Sequence, residues 1–189
     1  GEKDGDYRRL TPNELATRMS FFLVHQTPDV ELLDAAESGQ LADAEGIKKQ
    51  ARRLLTTPEA RRALDRFYSE LFLIRDLSNL SKDPAKFPGW NGAVASSMQE
   101  EMLRFLQDVI WTRNADAREL FTSNSTFIDA NLAPLYGLTA PSSGWASATL
   151  KPEHARPGIL GKAGFLARFA HPNLTSPTRR GRFFWEKLM

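Results

Sequence analysis

The chain has 189 residues, 41% of them hydrophobic and 25% charged, with a formal net charge of +2 and no cysteine. This is the composition of a globular protein that can bury its own core. The lack of cysteine excludes disulfides, thiolate metal sites, cysteine nucleophiles and covalent c-type haem attachment within the chain, and no apolar run approaches the roughly 18 residues that would span a bilayer.

The charge is unevenly distributed along the chain. Residues 1–150 hold 17 Lys/Arg and 21 Asp/Glu, a net charge of −4, whereas residues 151–189 hold 8 and 2, a net charge of +6. A basic tail can bind a polyanion, but a basic segment that follows an acidic body more simply docks on that body. We favour this intramolecular interpretation.

Capped helices are predicted along the first third of the chain. Thr11-Pro12-Asn13-Glu14 is a capping box with proline at the first helical position, and Thr27-Pro28 ends the helix that follows. A short helix is expected over 29–38, with Gly39 as its left-handed cap, and a third over 44–55. The side chains expected to be buried in the first two helices are Leu15, Met19, Phe22, Leu23, Leu32, Leu33 and Ala36.

The stretch 58–77 is predicted to be the central helix. Its apolar residues recur at steps of three and four, and Phe67, Leu71 and Ile74 are expected in the core. The predicted fold class is all-α, an irregular bundle of about seven to nine helices around this central helix, with little or no strand.

A long helix is expected from the cap Asn91 to about residue 111. Glu101 falls at the border of its apolar face and is a candidate buried carboxylate. It is either a catalytic group or ligand, or a structural partner of Arg75 or Arg104, and we favour the structural role. A second candidate carboxylate, Asp129, is expected to cap a short helix that ends at Gly137.

The C-terminal residues predict a helix that begins with Ser176 as cap and Pro177 as first residue. Arg179, Arg180 and Arg182 crowd its first turns, where the helix dipole favours negative charge. Either carboxylates of the acidic body or a bound anion would offset them, so Ser176 and these three arginines form a candidate anion-binding site. We favour the carboxylates.

The chain is expected to divide where its composition changes. Residues 138–158 are rich in Pro, Ser and Gly, with a short extended piece near 148–150. The predicted organisation is a helical domain over 1–138, a linker or loop over 139–158, and the N-terminal part of a second helical unit over 159–189 packed on the first. Gly161 and Gly164 in the last part indicate close helix packing.

The order of motifs along the chain resembles one family. The motifs are LTPNELATRMSFFLVHQTPDVELLDAAESGQL, FPGW, the pair Glu100-Glu101, STFIDANLAPLYGL, RPGILGKAGFLA and NLTSPTRRGRF. Together they resemble the planctomycete-type domains of unknown function found in exported bacterial proteins alongside cytochrome-c-like domains. The first domain would be complete over about residues 11–138, and only the beginning of a second would be present.

The resemblance implies a setting rather than an activity. The first nine residues lack a signal-peptide core, which leaves either a cytoplasmic protein or a targeting segment outside this sequence, whereas the resemblance implies a periplasmic or secreted protein. It also implies partners among other domains of the same polypeptide or a c-type cytochrome, with no cofactor in this chain and haem only in a neighbouring domain or partner. A second domain normally continues further, so we expect this sequence to be a fragment.

No catalytic template is present, and the three histidines occur singly. The first functional hypothesis is therefore a helical scaffold or interaction module. The alternatives are an enzyme acting on an extracellular polymer, with Arg179, Arg182, Glu101 and Asp129 around its pocket, and an anion-binding module that uses the basic C-terminal helix. Nucleic acid is the less favoured anion.

Overall fold

The computed structural model describes residues 1, 3–154 and 156–189, and in this part the fold is mostly helical with little strand, as predicted. The chain forms two compact units, Gly1–Phe67 and Tyr68–Met189. None of the described helices is both long and apolar enough to cross a membrane. The predicted division at 139–158 stays a prediction about domain organisation.

The first unit contains a two-residue β-pair and the first three helices. Strands β1 (Lys3–Asp4) and β2 (Tyr7–Arg8) pair in antiparallel fashion. Helices α1 (Pro12–Val24), α2 (Val30–Glu37) and α3 (Ala44–Leu55) follow, and α1 contacts both of the others. Helix α4 (Pro58–Leu71) begins in this unit and ends in the second.

The predicted helix caps of the first unit are confirmed. Thr11 and Glu14 form the capping box, with 2.8 Å from the Thr11 amide to Glu14 Oε2. Hydrogen bonds from the Thr11 amide and the N-terminal ammonium lower the pKa of Glu14 to about 2. Gly39 has a φ of 76° after α2, in the left-handed region, and Arg53 holds Asp29 through two hydrogen bonds of 2.7 and 2.8 Å.

The predicted buried face of α1 is partly wrong. Phe22 is 81% exposed, and the face that is buried consists of Ala16, Met19, Ser20 and Val24. The buried stripe of the helix is shifted by one residue relative to the predicted stripe. The helix also ends before Thr27, because His25 has a left-handed φ of 55° and turns the chain there. In α2, Leu33 is 37% exposed because Ala35 occupies the buried position instead.

The central helix is shorter than predicted. Helix α4 ends at Leu71, and the chain continues as a 3-10 helix over Ile74–Asn79 after Leu73 adopts a left-handed φ of 53°. This turn buries both Phe72 and Ile74, which a continuous helix would place on different faces. Phe67 is 51% exposed, so its predicted place in the core is wrong.

The second unit is built on helix α5 (Gly92–Gln107), which continues as a π-helical turn over Asp108–Thr112. Asn91 caps it as predicted, through a 3.0 Å bond from the Val94 amide. Helical spacing predicts an apolar face of Val94, Met98, Met102, Phe105, Val109 and Ile110. The first five of these residues are buried and Ile110 is partly buried, so the predicted face is confirmed.

A short β-pair and a turn lie beyond α5. After α6 (Glu119–Thr122), β3 (Ser125–Ile128) pairs in antiparallel fashion with β4 (Ala146–Thr149). The segment between them contains a 3-10 helix over Ala133–Tyr136. Sequence analysis missed β3 because its Ser-Thr start is polar, although Thr126 and Ile128 both point inward at the spacing of two expected of a strand.

The C-terminal elements complete the core of the second unit. A 3-10 turn over Ile159–Gly161 precedes α7 (Ala163–Arg168), and α8 (Pro177–Phe183) leads to a π-helical turn over Phe184–Leu188. A Cβ on Gly164 would lie 2.8 Å from Met102 Sδ, so α7 approaches α5 closely, as its glycines indicated. The core contains an aromatic cluster of Phe72, Phe165, Phe169 and Phe183.

Candidate functional site

An open cleft of about 630 Å³ lies in the second unit, and its volume falls in the size range of ligand-binding pockets. Its apolar wall is formed by α5, α7 and the loops on either side of them. We call this site the cleft. Its apolar lining residues are Phe87, Pro88, Trp90, Val94, Met98, Leu135, Ala163, Leu166, Ala167, Ala170 and Leu174.

Four positively charged side chains also line the cleft, namely Lys82, Lys86, Arg156 and Arg180. No carboxylate occurs among its described lining residues. Arg180 donates to Thr175 Oγ1 at 2.8 Å, and the Arg156 guanidinium lies 5.3 Å from the centre of the Tyr136 ring. Neither interaction neutralises the charge, so the cleft combines apolar surface with positive charge.

The spacing of residues on two helices creates the apolar wall. Val94 and Met98 lie one turn apart on α5. On the facing side, Ala163 and Ala167 are also four residues apart on α7, and Ala170 follows just after its end. Because alanine side chains are short, they take up little of the space in the cleft.

The loop between the 3-10 helix at 74–79 and α5 is fixed to the end of α7. Lys82 Nζ donates to the carbonyls of Ala167 and His171 at 2.8 and 3.2 Å, and the Asp83 amide donates to Pro172 O at 3.0 Å. Burial and the nearby positive charge of Arg179 lower the pKa of Lys82. This loop therefore places the Lys82 ammonium at the C-terminal end of α7.

A buried polar cluster of Glu101, Thr126, Tyr136 and Lys162 lies next to the cleft. Glu101 Oε1 accepts hydrogen bonds from Thr126 Oγ1 and, at 2.6 Å, from Tyr136 Oη. Lys162 Nζ donates to Ser125 O at 2.5 Å and lies 4.4 Å from the centre of the Phe105 ring. The Ala163 amide donates to Tyr136 Oη at 2.8 Å, which connects the cluster to the cleft wall.

Burial has the largest effect on the pKa values of the ionisable groups in this cluster. Glu101 and Lys162 are both 0% exposed. Burial raises the pKa of Glu101, against the lowering effect of the hydrogen bonds from Thr126 and Tyr136. Burial lowers the pKa of Lys162 to about 8, although the charge of Glu101 opposes this shift, and burial with the nearby Glu101 carboxylate raises the pKa of Tyr136.

The buried polar cluster holds four segments of the second unit in place. Its four side chains come from α5, β3, the 3-10 helix at 133–136 and the start of α7, so their bonds join four separate segments. The Glu101 carboxyl group has no exposed surface and is not among the described lining residues of the cleft. The predicted pairing of Glu101 with Arg75 or Arg104 is wrong, because Arg104 pairs with Glu100 at 2.8 Å and Glu101 bonds to hydroxyl groups.

Replacing Lys162 by methionine is expected to change how stability depends on pH. Because the pKa of Lys162 falls from 10.5 to about 8 on folding, the unfolded chain binds more protons between these pH values. The free energy of unfolding should therefore rise with pH in this window by up to about 1.4 kcal/mol per pH unit, and the Lys162→Met protein should lose that rise. Urea denaturation between pH 8 and pH 10 measures both slopes.

The exposed residue Lys187 provides the control for this experiment. A Lys187→Met protein should keep the slope of the unsubstituted protein. Equal slopes in the Lys162→Met and unsubstituted proteins would contradict the assignment of the titration to Lys162.

Asp129, the second predicted carboxylate, does not bond to Glu101 and has partners of its own. Asp129 accepts from Ser97 Oγ at 2.6 Å and from the Leu132 amide at 2.9 Å. Burial would raise the pKa of Asp129, but these bonds and those from Asn131 outweigh it and lower the pKa. Asp129 thus caps the turn before Gly137, whose φ is 63°.

The predicted arginines of the last helix also bond locally. Ser176 accepts from the Arg179 amide at 3.4 Å, Arg179 donates to Ala170 O at 3.4 Å, and Arg182 pairs with Glu186 at 2.7 Å. The described carboxylates of the acidic body therefore do not pair with these arginines. The basic tail still bonds to that body through Arg168 and Asp76, which lie 2.8 Å apart.

The enzyme hypothesis placed Arg179, Arg182, Glu101 and Asp129 around one pocket. In the part of the chain that the structure describes, none of the four bonds to another. Of the predicted residues, only Arg180 lines the cleft.

The structure also shows site residues that sequence analysis missed. Lys82, Lys86 and Arg156 were not among the predicted site residues, and Lys162 and Tyr136 were not considered as partners of Glu101. The available signal was the presence of Phe87 and Trp90 in one of the loops, because aromatic residues are enriched at binding surfaces.

These features define a mostly helical protein with a cation-lined apolar cleft. The chain belongs to the family PSD4, described as a protein of unknown function (DUF1592), which matches residues 10–138. No curated protein and no solved structure matches it. The matched range contains the loop and α5 side of the cleft, whereas Arg156, α7 and Arg180 lie beyond it.

Proposed function

We propose that this protein is an interaction module, and that its cleft binds a partner or ligand that presents apolar surface together with negative charge. One observation carries the proposal: the cleft is lined by apolar side chains and four cations, with no carboxylate among its described residues. Burial of apolar surface would supply affinity, and charge complementarity would select the partner.

The chemistry of the lining favours binding over catalysis. General acid–base and nucleophilic catalysis most often need histidine, carboxylate or an activated nucleophile. The described lining offers lysine, arginine and the Thr175 hydroxyl, which accepts from Arg180. The buried polar cluster bonds to the cleft lining at Ala163, and its one carboxyl group, that of Glu101, is not exposed.

The resemblance supplies the proposed setting. We place the module in an exported bacterial protein of several domains, in the periplasm or outside the cell, where its partners would be neighbouring domains or a c-type cytochrome. Haem would then belong to the neighbour or partner. These proposals depend on the resemblance and not on the geometry of the cleft.

Binding of anilinonaphthalene sulfonate, an anionic apolar fluorophore, tests the proposed function. We expect saturable fluorescence enhancement with the folded protein, weakened by salt because the cleft charges are near the surface. The uncharged analogue phenylnaphthylamine should bind less tightly. Reversing the charge of one exposed cleft residue, Lys86→Glu, should weaken sulfonate binding by about three- to tenfold.

The matched control is Lys187→Glu, which makes the same charge change outside the cleft lining. It should bind the sulfonate like the unsubstituted protein. Equal loss in the two variants, or no saturable binding by the folded protein, would overturn the proposed function. Circular dichroism of each variant confirms that the dye reports a folded protein.

A further inference from the structure

The positive charges of the cleft lie near both ends of α7, and this arrangement indicates what kind of partner fits. At the N-terminal end, the Ala163 amide donates to Tyr136 Oη at 2.8 Å, and Arg156 lies over that same Tyr136 ring at 5.3 Å. Arg156 is thereby held near the beginning of the apolar wall.

At the opposite end of α7 the cleft residue Lys82 lies with Arg179, which is not a lining residue. Lys82 Nζ is 2.8 Å from Ala167 O, and Arg179 donates to Ala170 O at 3.4 Å. Arg180 is held by Thr175, which also lines the cleft. These contacts place two or more positive charges where α7 ends.

Between the two ends lies the apolar wall itself. Helix α7 has six residues over Ala163–Arg168 and is therefore about 9 Å long. Ala163, Leu166 and Ala167 from this helix face the cleft together with Val94 and Met98 from α5. An extended peptide covers such a length with about three residues.

We propose that the cleft binds a protein segment in which a short apolar stretch is flanked on both sides by acidic residues. This inference rests on the proposed function and names its ligand class. A single-headed amphiphile such as a fatty acid has one carboxylate and would leave one charged end of the cleft unpaired. A segment with carboxylates on both sides pairs with both ends while its apolar residues cover the wall.

Competition experiments with three defined probes test the inference. The first is a capped peptide of two glutamates, three leucines and two glutamates, the second has lysine in place of every glutamate, and the third is dodecanoate. Each is titrated against the protein with anilinonaphthalene sulfonate bound. We expect the acidic peptide to displace the dye at lower concentration than either of the other probes.

Variants at the two charged ends of the cleft test whether the acidic peptide contacts both of them. Arg156→Gln and Lys82→Gln should each weaken binding of the acidic peptide by about three- to tenfold, and the double variant by about the product of the two effects, because distant sites act independently. Arg156→Lys keeps the charge and should retain most of the affinity. Thermal unfolding checks that each variant is folded, and Lys187→Gln is the control outside the cleft.

The outcomes separate this inference from the proposed function. If dodecanoate displaces the dye and the acidic peptide does not, the partner is an amphiphile, and the inference is overturned while the proposed function stands. Equal displacement by the lysine peptide, or an effect at only one end of the cleft, also overturns the inference. If the dye itself does not bind, the proposed function fails first.

Discussion

Replacing Glu101 by alanine is expected to lower the free energy of unfolding by about 3–5 kcal/mol. The Thr126 and Tyr136 hydroxyls would lose the acceptor they share, and the missing side chain would leave a cavity in the buried polar cluster. The segments that the buried polar cluster joins would then lose a common partner. Chemical denaturation monitored by circular dichroism measures this loss.

Glu101→Gln is the matched variant for this prediction. Glutamine keeps an oxygen that accepts from Thr126 and Tyr136, and it resembles the uncharged carboxyl group that burial favours. It should therefore cost less than about 1.5 kcal/mol. A glutamine variant as unstable as the alanine variant would show that the negative charge itself, rather than the acceptor oxygen, stabilises the cluster.

Replacing Phe165 by alanine is expected to cost about 3–5 kcal/mol as well. Phe165 is 2% exposed, and its ring centre lies 4.7 Å from that of Phe169 and 5.2 Å from that of Phe183. Removing it leaves a cavity at the centre of the aromatic cluster and loses the ring contacts that hold α7 against α8. Thermal and chemical denaturation measure the effect.

Phe184→Ala is the control for the aromatic cluster. Phe184 has the same side chain and directly follows Phe183, but it is 46% exposed. We expect its removal to cost less than about 1 kcal/mol, because little apolar surface returns to water. Similar losses in the two variants would contradict the assignment of Phe165 to the core.

Local signals explain why much of the helical architecture could be predicted. The Thr11 capping box, the Asn91 cap and the Ser176-Pro177 start each depend on residues within three positions of the helix end. The apolar face of α5 likewise follows from spacing along a single helix. These features need no knowledge of how distant segments pack.

The remaining features depend on tertiary contacts that spacing does not contain. The end of α4 is set by the left-handed Leu73, a residue with no local preference for that conformation. Glu101 was placed at the edge of a helix face, but its buried partners Tyr136 and Lys162 lie far along the chain. The cleft combines the loop before α5 with segments around α7, so its residues could not be grouped from the sequence.

The alanines in α7 and just after it determine how deep the cleft is. Ala163, Ala167 and Ala170 each contribute a single methyl group to its lining, so the empty space above them is created by small side-chain volume. A relative with leucine or phenylalanine at these positions would have a shallower groove on the same backbone. Members of one family could therefore accept side chains of different bulk while retaining the same arrangement of positive charges.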